Sequence, residues 1–180
     1  GRRYRALLQD RTTLPFGYLA QDASIAGISL LHNYCLMITG RARTGKTNLL
    51  RMLIYAASGR ECDMVIFEKK ESEFTNFEKA AAKWNAGYVS DKQSMFEFFK
   101  NLQPEFVRRN KIKRAYIESG LDEMEVVEKM AEQKPMFLFI DNMKDFMEMA
   151  YSPESTAAKI PMFLENIMEK GTSHNIFFFG

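Results

Sequence analysis

Cysteine, proline, tryptophan and long hydrophobic runs are all scarce in this chain, and the scarcities narrow what it can be. Its 180 residues hold two cysteines, Cys35 and Cys62, in neither C-x-x-C nor zinc-like spacing, so nothing points to a disulfide framework or a zinc site. Cys35 lies in an apolar run and Cys62 just before one, which predicts buried free thiols and suits a reducing, cytosolic setting. An excess of one charge is also missing. The 25 basic and 23 acidic residues leave a net charge of +2, too balanced to announce nucleic acid as a partner. No apolar run approaches the ~20 residues of a membrane-spanning helix, and Gly1-Arg2-Arg3-Tyr4 does not open a signal peptide. No internal repeat, low-complexity tract or Gly/Ser linker divides the sequence, so one domain is expected over residues 1–180. The chain lacks an initiator Met and stops at Gly180, directly after the apolar run Ile176 to Phe179. Both features raise the expectation of a fragment of a larger multidomain protein.

What the chain does have is bulk: 15 Phe and 12 Met within a 46% hydrophobic composition, read as core packing rather than a Met-rich binding surface. Four near-continuous apolar runs, Cys35 to Thr39, Met64 to Phe67, Met136 to Ile140 and Ile176 to Phe179, suit strands buried on both faces of a parallel sheet. A weaker strand is predicted at Gly87-Tyr88-Val89. Helical patterns lie between them. Asn48 to Ser58 carries Leu49, Leu50, Leu53, Ile54 and Ala57 on one face, with Gly59 as its C′ residue. Ser90-Asp91-Lys92-Gln93 reads as a capping box opening a long helix, which Pro104 should kink or divide. Ser152-Pro153 should start a helix that runs past Pro161 to Gly171. Strands alternating with helices imply an α/β fold of the RecA-like, mostly parallel kind.

Gly40-Arg41-Ala42-Arg43-Thr44-Gly45-Lys46-Thr47 satisfies G-x-x-x-x-G-K-[ST], between an apolar strand and an amphipathic helix. The chemistry needs that context. The strand delivers the chain to a helix N-terminus, whose N–H groups and dipole face a polyphosphate. Gly45 lets the backbone approach, Lys46 reaches the outer phosphates, and the Thr47 hydroxyl can ligate Mg²⁺. Residues Gly40 to Thr47 with Asn48 are thus the candidate ATP-binding set. Arg43 is a departure, because many such loops carry a further Gly there.

Phe137-Leu138-Phe139-Ile140-Asp141 reads as the second acidic element, four apolar residues ending in one carboxylate at the sheet's ligand-binding edge. Asp141 would hold Mg²⁺ through its water shell, with Thr47 as the other metal-site residue. The next residue, Asn142, stands where many such ATPases carry a Glu that polarises the attacking water. An amide can orient a water but cannot accept its proton. Glu68, Asp145 and Glu148 are candidate substitutes, each read first as a strand-end or surface carboxylate. Hydrolysis is therefore expected to be slow or absent.

With these elements in register, the chain resembles the FtsK/SpoIIIE class of ring-forming motor ATPases. The resemblance runs through Leu14-Pro15-Phe16-Gly17, Ile28-Ser29-Leu30, Val65 to Lys70, Glu105 to Arg109 and Gly171 to Phe179. Arg43, Glu68, Asn142 and the Phe/Met runs look most like the degenerate C-terminal ATPase domain of the EssC/EccC type VII secretion motor. That resemblance implies a cytoplasmic domain of a membrane-anchored bacterial protein, with ATP and Mg²⁺ as cofactors. The partners it implies are neighbouring ATPase domains of the same chain and secreted WXG-class helical hairpins, in a hexamer of the full protein. A role in substrate recognition or regulation follows by the same analogy. The competing readings are a scaffold that keeps the fold without the chemistry, and an active FtsK-like DNA translocase.

Three further features have quieter readings. Arg108-Arg109 with Lys111, Lys113 and Arg114 is read as a solvated helix face before an intersubunit or nucleic-acid contact. His174 should cap or pack at a strand entrance. Trp84 with Phe74 and Phe77 should pack in the core rather than dock a peptide.

Overall fold

Pairing turns the apolar runs into one parallel sheet, preceded in the chain by a short hairpin. In a computed structural model, residues 11–41, 43–69, 77–170 and 174–180 are described. The hairpin joins β1 (Thr13–Tyr18) and β2 (Ile25–Ser29), antiparallel. The sheet contains β3 (Cys35–Leu36), β4 (Asp63–Phe67), β5 (Gly87–Val89), β6 (Met136–Ile140) and β7 (Ile176–Phe179), in the order β3-β7-β6-β4-β5. The helices are α1 (Lys46–Ser58), α2 (Glu78–Lys83), α3 (Lys92–Glu118), α4 (Glu123–Met130), α5 (Met143–Ala150), α6 (Pro153–Ala157) and α7 (Ile160–Lys170).

The strands lack polar alternation because both faces of the sheet are covered. Met64, Ile66, Phe137, Phe139, Phe177 and Phe179 pack with α1, α2 and the hairpin. Val65, Phe67, Leu138, Ile140, Ile176 and Phe178 pack with α3, α5 and α7 on the other side. Stacked rings bind neighbouring strands on the α1 face, as between Phe137 and Phe177 with centroids 5.1 Å apart. Phenylalanine supplies most of the bulk, whereas Met37, Met52 and Met162 are exposed.

Several boundaries differ from the sequence expectation. The first strand is two residues long rather than five, with Cys35 and Leu36 paired to Phe178 and Phe179 of β7. The long helix is capped by Asp91, not Ser90. Its carboxylate accepts from Ser94 N at 2.8 Å while Ser94 Oγ accepts from Asp91 N at 3.2 Å, and a charged cap suits the helix dipole better than a hydroxyl. Pro104 does not divide α3, which runs for 27 residues. Phe99 and Leu102 before it, and Phe106 and Arg109 after it, all pack inward, so tertiary contacts hold the helix across the missing N–H.

Pro161, in contrast, does interrupt. Its ring excludes the carbonyl four residues back, at Ala157, which is where α6 ends. Lys159 then takes φ +59° before α7 begins. The Ser152 cap is present, with its hydroxyl accepting from Ser155 N at 3.3 Å. Gly59 closes α1 at φ −82°, so it is not a left-handed C′ residue. Cys35 is exposed rather than buried, since β3 is the sheet's edge. Cys62 is half-buried and its thiol donates to Ala57 O at 3.3 Å. Burial pushes that thiol up to about 11. Phe74 and Gly171 lie outside the described residues.

The largest correction concerns Arg109, which is 1% exposed. Its Nε donates to Glu105 at 2.7 Å, Nη1 to the carbonyls of His174 and Asn175 at 2.7 and 3.1 Å, and Nη2 to that of Lys134 at 2.7 Å. The guanidinium therefore ties α3 to the segments entering β6 and β7. His174 packs there as expected, its ring stacked on Phe106 at 4.6 Å.

Candidate functional site: a phosphate loop beside a strand-end carboxylate

After β3 the chain turns through Gly40 to Thr44 and enters α1 at Lys46. A helix's first turn carries N–H groups without intrahelical partners, and Gly45, the N-cap, offers no side chain to cap them. Gly45 sits at φ +91°, a conformation glycine adopts without strain. A Cβ on Gly40 would fall 2.6 Å from Thr44 Oγ1. That hydroxyl is in place because it donates to Arg41 O at 2.8 Å. The Lys46 ammonium donates to Gly40 O at 2.7 Å and Arg41 O at 2.8 Å, which leaves one of its three donors for an anion. Arg43 is exposed at φ +63°, so the turn uses the left-handed conformation with a side chain that resists it. Ala42 lies outside the described residues.

Asp141 reaches the same place from the next strand but one. Its N–H donates to Phe67 O at 3.0 Å, continuing the β4–β6 ladder past Ile140. The Thr47 hydroxyl lies 3.4 Å from Asp141 Oδ1, although β7 separates β3 from β6 in the sheet. Gly180, following β7, keeps that spacing: a Cβ there would meet Ile140 Cβ at 2.9 Å. Thr39, Lys46, Thr47, Asp141, Asn142 and Lys144 line a cleft of about 330 Å³. A hydroxyl and a carboxylate facing one cleft are hard oxygen donors of the kind Mg²⁺ takes, with waters and phosphate oxygens completing its shell.

The candidate acids sit in different environments. Glu68 is buried beside Asp141, and its Oε2 accepts from Phe77 N and from the Tyr88 hydroxyl, both at 3.0 Å. Burial first, then the Glu68 bond and charge, push the Tyr88 hydroxyl well above its usual range. Asn142 caps α5: its Oδ1 accepts from Lys144 N at 3.1 Å and Asp145 N at 3.3 Å. Asp145 lies in the first turn of α5, and Glu148 pairs with Lys69 at 3.6 Å and Lys144 at 3.9 Å. The capping role of Asn142 went unread in the sequence. An Asn directly before an amphipathic stretch was the available signal.

No family model and no curated protein matches the sequence. Solved structures do match in fold. The cytoplasmic domain of EssC superposes on 95% of this chain with a TM-score of 0.74 at 14% identity. The TcpA coupling protein of pCW3 conjugation, solved with ATPγS, gives 0.69 over 94% at 16% identity. Thermomonospora curvata EccC (ATPases 2 and 3), in complex with a signal sequence peptide, gives 0.63 over 93% at 14% identity. In fold, this chain resembles the cytoplasmic ATPase domains of EssC and EccC. It spans 31% of the EssC chain, 48% of TcpA and 28% of EccC. The EssC-like fold has the flanked, mostly parallel sheet that brings a strand–loop–helix and a strand-end Asp to one edge.

Proposed function

We propose that this chain is an ATP-binding domain of a membrane-anchored type VII protein secretion motor, with little or no hydrolysis of its own. One observation carries the weak-hydrolysis part: Asn142 spends its side-chain oxygen on two backbone N–H groups of α5. An amide so engaged does not deprotonate water, and one oxygen of Glu68 is likewise taken up by Phe77 and Tyr88. Binding needs less. The loop amides and Lys46 take the phosphates, and Thr47 and Asp141 would hold Mg²⁺. The metal, when bound, supplies charge neutralisation at the phosphate oxygens.

The secretion setting rests on the likeness to EssC and EccC, which are chains of several ATPase domains. Neighbouring ATPase domains of one chain, a hexamer of the full protein, and WXG-class helical hairpins as the exported substrate follow as proposals. So does a role for this domain in recognising substrate or regulating its neighbours. The likeness to TcpA favours a second reading, an active DNA-translocating domain. Against it, Arg109 of the basic cluster is sealed inside the protein, out of reach of a phosphate backbone.

A turnover assay on the full-length protein tests the proposal. Asp141→Ala here should leave hydrolysis by the neighbouring domains intact, and DNA should not stimulate it. Loss of all turnover in that variant would make this domain catalytic and overturn the proposal.

A further inference from the structure

A groove of about 380 Å³ lies between α3 and α7 and shares no lining residue with the phosphate cleft. That volume falls within the range of small-molecule sites. Its floor is set by core packing. Phe99 and Ile160 are buried, and the Phe163 ring meets those of Phe99 and Phe106 edge-on, with centroids 6.1 and 5.2 Å apart. Phe96 and Met162 also line the groove, yet remain 37% and 56% exposed. The result is an apolar slot open to water, and an apolar ligand that displaced that water would be favoured.

The charge lining the slot has one sign. Lys100 and Lys159 face it, and no lining residue is acidic. Neither ammonium joins an ion pair among the described residues. The carboxylates nearest in sequence have other partners. Glu97 accepts from Gln93 Nε2 at 2.7 Å, Glu165 accepts from the Tyr151 hydroxyl at 2.9 Å, and Glu154 pairs with Lys92 at 3.8 Å. Gln103 and Asn166 are the other polar side chains of the lining, and Asn166 Nδ2 already donates to Met162 O at 2.8 Å. An extended peptide would bring an N–H and a C=O at every residue, more than this lining can partner. A docked helix would need a longer track, because the lining covers only about two turns of each helix, roughly 10 Å. The complement of an apolar slot with a purely cationic rim is a molecule with one anionic end and an apolar body. We infer that the α3–α7 groove binds a single-chain anionic amphiphile, a medium- to long-chain carboxylate. Its alkyl tail lies against Phe96, Phe99, Met162 and Phe163, and its carboxylate is held by Lys100 and Lys159.

Calorimetry tests this with dodecanoate, octanoate, dodecanol and dodecyltrimethylammonium, each titrated into the protein below its micellar range. Dodecanoate should bind once per chain and at least about tenfold more tightly than octanoate, since each methylene taken from water adds about fourfold. Lys100→Gln combined with Lys159→Gln, both at exposed positions, should weaken dodecanoate roughly fivefold and leave dodecanol unchanged. Phe96→Ala and Met162→Ala should each weaken both ligands several-fold, with thermal unfolding checking that the variants stay folded. Equal affinity for dodecanoate and dodecyltrimethylammonium, many molecules bound per chain, or a double lysine variant that binds dodecanoate as before overturns the inference. So does a Leu/Glu amphipathic peptide whose binding is lost with Phe96→Ala while dodecanoate gives no heat, because the groove would then be a protein-docking site. Dodecanoate should bind Lys46→Ala unchanged, which separates this groove from the fate of the phosphate site.

Discussion

Replacing Arg109 by alanine should destabilise this protein by about 4 kcal/mol, a large part of the 5–15 kcal/mol that holds a typical domain folded. The figure follows from what the guanidinium satisfies. Three carbonyls, those of Lys134, His174 and Asn175, lose their donor in a place where Arg109 itself is 1% exposed. Each acceptor left so costs about 1–3 kcal/mol, and breaking a buried charged pair costs about 3–5 kcal/mol in all. Glu105 adds little, because Arg108 still pairs with it at 2.7 Å. Urea unfolding is the assay. With a slope near 2.5 kcal/mol per molar, the midpoint should fall by roughly 1.5 M, and thermal unfolding should begin about 8–16 °C lower. Arg108→Ala is the control: its side chain is half exposed, and its loss should cost under about 1 kcal/mol. Arg109→Lys keeps the charge but not the fork, and should recover less than half of the loss. Equal midpoints for Arg108→Ala and Arg109→Ala would refute the view that Arg109 ties α3 to the sheet.

Two further outcomes follow. The Arg108 bond, with Arg109 behind it, lowers the Glu105 carboxyl to about 2 from its usual 4.5. Between those values the unfolded chain binds the proton that the folded one does not, so stability falls as pH drops from about 4.5 toward 2; Glu105→Gln should flatten that limb of the pH–stability curve, and an unchanged curve would remove Glu105 from the account. Arg43→Gly should stabilise the protein by roughly 0.5–1 kcal/mol, because a side chain at φ +63° costs more than the glycine's extra freedom in the unfolded chain. A destabilised Arg43→Gly in thermal unfolding would mean that the arginine makes contacts outweighing its strain.

What could be read from the sequence was whatever a local pattern determines. Apolar runs without alternation gave β4, β6 and β7, since burial on both faces removes polar positions. The strand–loop–helix around Gly40 to Thr47 was legible because glycine positions and a following amphipathic period are both local. Other features depend on partners distant in sequence. β3 takes its partner from β7 at the far end of the chain, and no pattern in Cys35 to Thr39 encodes that pairing. Arg109 looked like one member of an exposed basic run, since its acceptors at Lys134, His174 and Asn175 are backbone atoms without a residue signature. Asn142 drew attention for the acid it replaces, which hid its simpler work as a helix cap.

The central claim, that Gly40 to Thr47 with Asp141 forms a phosphate site, is tested most directly by calorimetry with Mg-ATP on this chain and on Lys46→Ala. Saturable heat that the substitution removes, with no turnover during the titration, is the expected result. Heat that survives Lys46→Ala unchanged, or none at millimolar nucleotide, would contradict it.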